Sequence, residues 1–184
     1  MTGTTDLRSE HVGVGKMLDI MDGMAAATRR GEQPSLDDLS QAIEFLRVFV
    51  DKCHHTKEEE LLFPAIRAAN MVAVEDAIVA LLSDHVRGRD AVSRIAALVQ
   101  RVAAADESAN AELAETMSGY TKLLRDHIVR EENECFGPAD RGLPPKVQER
   151  LIEGYERIEA EVVGEGVHEG FHALLDRLSA AYHA

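Results

Sequence analysis

At 184 residues the chain is long enough for one well-buried domain and short for two. Apolar residues make up 45% and aromatics only 4%, with Trp absent, which favours helices over a β-sandwich or barrel. A net charge of −13 without a Lys/Arg run argues against a nucleic-acid partner, and the opening MTGTTDLRSEH and the lack of a long apolar run argue against a signal peptide or a membrane span.

The apolar periodicity predicts helix almost throughout. The first segment carries Leu7, Val14, Leu18, Met21 and Ala25, with His11 filling the gap in the series. Gly31 and Gln33-Pro34-Ser35 end it and cap the next segment. That second stripe runs Leu36, Leu39, Ile43, Leu46 and Val50, then continues onto His54 and Glu58, with a kink expected at Pro64 before the helix ends near Ala69. A third stripe passes through Val74, Ile78, Leu81, His85, Val92, Ile95 and Val99 and breaks at Asp106-Glu107-Ser108. The fourth reads Leu113, Met117, Tyr120, Leu124, His127, Glu131. Gly137-Pro138 and Leu143-Pro144-Pro145 predict a loop, and a fifth helical stretch starts near Val147, with a break at Gly164-Glu165-Gly166.

Two stretches repeat: HHTKEEELLFP from His54 and HIVREENECFGP from His127. Each has a base three residues after its histidine, then paired glutamates, then a phenylalanine and a proline. Ser9-Glu10-His11-Val12 likewise matches Ser83-Asp84-His85-Val86 at nearly the same offset. The first four helices thus read as two copies of one helical hairpin. The expected fold class is all-α: an up-down-up-down four-helix bundle over residues 1–138, with a helical extension over 139–184 packed on the same domain.

Counting about 1.5 Å of rise per residue from each expected turn brings His11, His54, His85 and His127 to one level. These four, with Glu58 and Glu131, continue the apolar stripes and should face the bundle axis. A buried carboxylate costs several kcal/mol (order of magnitude) without compensation, and two at one level repel as well. A pair of metal ions removes both problems, since His and Glu at i, i+4 share one helix face. A lone His-x-x-x-Glu is usually a solvated pair, but four histidines and two glutamates, level and repeated, are not explained that way. Lys57, Glu59, Glu60 and Glu132 fall off the stripe and are expected in water. His55, beside the stripe, is expected not to be a ligand.

On these residues the chain resembles the hemerythrin-like (HHE cation-binding) family over about residues 6–138. The resemblance rests on the ordered pattern His … His-x-x-x-Glu … His … His-x-x-x-Glu. It implies a non-haem di-iron centre, two Fe ions joined by an oxo or hydroxo bridge and by Glu58 and Glu131, with His11, His54, His85 and His127 as terminal ligands. A mixed imidazole and carboxylate set suits iron, or manganese, better than structural zinc. The oxygen-carrying hemerythrins have a fifth histidine four residues along the third helix and a His-x-x-x-x-Asp ending; here Arg89 and Glu131 stand instead.

The open metal positions left by six ligands point to O₂, hydrogen peroxide or nitric oxide as the small-molecule partner, in oxidative or nitrosative stress defence of a peroxidase- or catalase-like kind. The alternative is a non-enzymatic iron, oxygen or redox sensor, or an iron-handling protein. Cys53 and Cys135, with no CxxC, suit buried free thiols in a cytoplasmic monomer or homodimer. Within the C-terminal extension, Tyr155 and Glu156 fall nearest the metal level, and His168 reaches it only if the chain folds back.

Overall fold

The computed structural model describes residues 2–162 and 167–182. All regular structure among them is helical: α1 (Thr5–Arg29), α2 (Leu36–Phe45), two π-helical stretches π1 (Leu46–His55) and π2 (Glu58–Leu62), and α3 (Phe63–Ala68). There follow α4 (Glu75–Ala103), α5 (Ala109–Arg130), a third stretch π3 (Glu131–Phe136), α6 (Gly137–Gly142), α7 (Pro145–Val162) and α8 (Val167–Tyr182). The break expected at Gly164-Glu165-Gly166 lies outside the described residues, as does the side chain of His168.

The boundaries follow local chemistry. Gly31, at φ +79°, leaves α1 in the left-handed region that costs glycine nothing. Ser35 caps α2 by accepting from the Asp38 amide at 3.0 Å, and Asp37 and Asp38 lie in its positive first turn. One expectation is corrected. Helix does not stop at Gly137-Pro138, because π3 runs straight into α6. Helix also continues past Pro64, which sits in the first turn of α3, and ends at Ala68. In both places a π stretch hands over to an α-helix, and proline occupies a first-turn position whose N–H has no helical partner anyway.

Packing places α1 and α4 against α5, α2 against α4, and α8 against α1. Two apolar layers result. The larger holds Val14, Leu18, Val50, Val92, Ile95 and Leu124 among others, and the smaller holds Leu7, Leu62, Phe63, Leu81, Cys135 and Phe136. Each of the four chain passes crosses from one layer to the other, in alternating order: Leu7 then Val14, Val50 then Leu62, Leu81 then Val92, Leu124 then Cys135. The residues between those pairs are His11, His54 to Glu58, His85, and His127 to Glu131. A polar layer is therefore sandwiched between two dry ones.

The last two helices close over this arrangement. Gly154 lets α7 lie against π2, since a Cβ there would come within 2.7 Å of a Leu61 methyl. From α8, Leu175 and Leu178 join the larger layer, Arg177 reaches Asp38 at 2.6 Å, and the Tyr182 hydroxyl donates to Asp38 at 2.6 Å. Burial opposes ionisation of Asp38, but the Tyr182 hydroxyl and Arg177 win and hold its carboxyl below the usual range. A depressed folded value means this tie is intact above the unfolded carboxylate pKa and is lost as pH falls through the lower folded one. Amide exchange in α8 should therefore speed up on acidification before that of α5, and Asp38→Asn should exchange fast in α8 at neutral pH as well. Acid-insensitive exchange in α8 would remove this role.

Candidate metal centre

The π stretches decide what reaches the polar layer. A π turn takes in an extra residue, so π1 and π2 bring His54, His55, Lys57 and Glu58 all inside. From the other helices come His11 on α1, His85 on α4, His127 in the last turn of α5, and Glu131 at the start of π3. All six residues singled out from the sequence are brought together. Glu58 and Glu131 are 0% exposed, the most buried carboxylates among the described residues.

The donors form two groups that share a residue: His11, His54, Glu58 and Glu131 in one, and His55, Glu58, His85 and His127 in the other. Within each group, one ligand atom per residue lies within 4.8 Å of the rest. Each glutamate divides its oxygens between them. Glu58 points Oε1 at His54 Nε2 (3.7 Å) and Oε2 at His85 Nε2 (3.3 Å). Glu131 points Oε2 at His11 Nε2 (3.1 Å) and Oε1 at His127 Nε2 (2.8 Å). None of these four oxygens has a partner of hydrogen-bond geometry.

The imidazoles present the same contradiction to a metal-free reading. Nε2 of His11 faces Nε2 of His54 at 3.2 Å, and Nε2 of His85 faces Nε2 of His127 at 3.3 Å. The opposite ring nitrogens are committed elsewhere: His54 Nδ1 to Glu10 at 2.7 Å, His11 Nδ1 to Glu132 at 3.0 Å, and His85 Nδ1 to Glu59 at 2.7 Å. A neutral ring that gives its proton to a carboxylate at Nδ1 has only a lone pair at Nε2. The facing lone pairs of His11 and His54, and the unpartnered oxygens of both glutamates, are what a pair of cations would satisfy, so the residues fit a two-metal centre.

Around this inner set the repeat supplies a second ring. Each orienting carboxylate is held by a base: Glu10 by Lys57, Glu132 by Arg8 at 2.7 Å, Glu59 by Arg89 at 2.6 Å. Beside His127, Asp84 lies 3.8 Å from Nδ1 and is held by Arg130. Phe136 stacks on His11 (centroids 5.5 Å apart) and Phe63 on His85 (6.1 Å). The base, the second glutamate and the phenylalanine of each repeated stretch therefore serve the histidines.

Expectations for four of these residues are corrected. Lys57 is not in water but fully buried on Glu10, while Glu59 and Glu132 are half-buried on histidines. His55, expected outside the ligand set, stacks on His85 at 3.9 Å with neither ring nitrogen hydrogen-bonded. The signal for Lys57, Glu59 and Glu132 lay in the repetition itself, which keeps the base and the second glutamate in both copies; His55 is not repeated.

Charge follows the same plan. Burial pushes the Glu58 carboxyl well above the usual range, and the neighbouring charge of Glu131 pushes the same way. Burial resists ionisation of Glu131 too, but His127 and His11 hold it well below. Glu10 is drawn down to about 2 by His54 and Lys57 against strong desolvation, and Glu59 to about 2 by its bond to His85 and by Arg89. His55 is pushed down to about 3, chiefly by burial and further by the other imidazoles, against the opposing pull of Asp51 at 3.5 Å from its Nδ1. Cys53 and Cys135 are free and buried; desolvation raises their thiols to about 11 and about 12, which leaves them unreactive.

His55 also lines a cavity of about 210 Å³, together with Val50, Asp51, Gly88, Arg89 and Tyr120. Among the described residues no helix is long and apolar enough to cross a membrane.

Comparison with known proteins agrees with this site. The family model for the hemerythrin HHE cation binding domain matches residues 2–139, and the chain belongs to that family of metal-binding proteins. Uncharacterized protein Rv1995 of Mycobacterium tuberculosis H37Rv and uncharacterized protein Mb2018 of Mycobacterium bovis are each 28% identical to it over 180 residues. These matches cover 97% of this chain and 68% of each relative. No solved structure matches the chain.

Proposed function

We propose that this is a cytoplasmic di-iron protein that turns over hydrogen peroxide, or reacts with O₂ or nitric oxide, at a centre carried by an up-down-up-down four-helix bundle. The observation that carries it is the division of each fully buried glutamate between two histidine pairs. Glu58 and Glu131 would bridge the two ions. His11 and His54 would hold one, and His85, His127 and His55 the other.

His55 changes the ligand count. The oxygen-carrying hemerythrins have five histidines, and His55, buried from π1, would be the fifth here, from the second helix rather than the third. At the matching place in the second copy stands Ile128. The His11/His54 ion would thus have one protein donor fewer, and that is where a small molecule would enter. Iron held there would supply the redox change and Lewis acidity. The chain's part is to orient three of the rings, His11, His54 and His85, through Nδ1 bonds to carboxylates, and to exclude bulk water with the two apolar layers. In catalase-like turnover two peroxide molecules become two waters and one dioxygen, so no outside reductant is needed.

Iron-loaded protein given hydrogen peroxide should release oxygen, and loaded Glu131→Ala should release at least about 100-fold less, the scale on which a lost bridging ligand weakens a metal site. Equal release from both would contradict the assignment. A loaded wild type that releases none, yet changes its protease sensitivity on oxidation, would favour a sensor instead.

A further inference from the structure

Tyr155 is not accounted for by anything above. It comes from α7, beyond the residues matched by the family, and it is 1% exposed. Its hydroxyl has no hydrogen-bond partner among the described residues. A buried hydroxyl left in that state costs about 1–3 kcal/mol.

The ring has a role that does not need the oxygen. It packs in the smaller apolar layer with Leu7, Cys135 and Leu151, and Lys57 Nζ lies 6.0 Å from its centroid. Phenylalanine would fill that layer and meet that cation equally well. What phenylalanine lacks is the O–H.

The position of the ring narrows what the O–H is for. Lys57 holds Glu10, and Glu10 holds His54 Nδ1, so Tyr155 stands beside the residues that orient His54, on the His11/His54 side of the centre. A phenol O–H is a donor, and burial first, then Glu58 and Glu10, push its pKa upward. Among the described residues no carboxylate accepts this proton.

Resting on the di-metal reading, we infer that the Tyr155 hydroxyl donates a hydrogen bond to a small anion bound at the His11/His54 position, such as hydroperoxide, hydroxide or azide. No bond in the protein forms or breaks, and the proton stays on the phenol.

The test is an azide titration of iron-loaded wild type and Tyr155→Phe, with iron counted in both and the ligand absorption band as readout. Both should hold two irons, the metal-free forms should unfold alike, and azide should bind the variant roughly tenfold more weakly, as loss of a hydrogen bond to a charged ligand requires. In wild type alone, exchange into D₂O should shift the vibrational frequency of bound azide. Equal azide affinity in the two proteins, or no isotope shift, overturns the role of Tyr155 while leaving the metal centre standing. A phenolate-to-iron band in resting wild type, absent from the variant, also overturns it, because Tyr155 would then be a ligand. A wild type without metal overturns the centre and this inference together.

Discussion

Glu58→Leu should move stability in opposite directions with and without metal. In the metal-free protein Glu58 is fully buried, lacks any hydrogen bond and faces the charge of Glu131. A leucine of similar volume removes an unsatisfied polar group, so the metal-free variant should be more stable by about 1–3 kcal/mol in urea unfolding. The loaded variant should lose what binding contributes. A ligand at about 1,000 times its dissociation constant adds about 4 kcal/mol to the folded state, and a centre missing its bridge forfeits most of that. Iron per chain should fall below two in the same samples. A metal-free variant less stable than wild type would show that Glu58 is held by the protein itself, and the argument for a cation would lose its main support.

Lys57→Met should be costly in both states. The ammonium is fully buried against Glu10, and burial, which resists its charge, is outweighed by that carboxylate, so its pKa is raised. Removing it strands a buried carboxylate, a change that costs about 3–5 kcal/mol. The double variant Lys57→Met with Glu10→Gln should recover a large part of the loss, since the two residues form one unit. Urea unfolding of the metal-free proteins measures this directly. A loss below about 1 kcal/mol would place Lys57 among surface charges.

These two residues also mark where reading the sequence succeeds and where it stops. Glu58, like the four histidines and Glu131, lies on an apolar stripe, and a charged residue on such a stripe is visible to anyone counting in threes and fours. The helical segments, the Ser35 cap and the turn at Gly31 were legible for the same reason, being set by local spacing and turn chemistry. Lys57, His55 and Glu59 were not. An α-helical phase places them beside or behind the stripe, but the π turns between Leu46 and Leu62 shift the phase so that Lys57 and His55 are buried and Glu59 reaches His85. Glu132 failed likewise at π3, and it is drawn to His11 from an element far away in sequence. A change of helix type leaves little trace in composition, although the proline that follows each repeated stretch was such a trace. Which carboxylate orients which ring depends on pairing between helices, and no count along one helix contains it.

The central claim is that the polar layer between the two apolar ones is a two-iron site. Metal analysis of the purified chain, taken with its optical spectrum, tests this most directly. The account predicts two irons per chain, with a near-ultraviolet absorption from an oxo or hydroxo bridge that disappears on chelation. Purified protein with no stoichiometric transition metal, and none taken up on adding ferrous iron without oxygen, would contradict it.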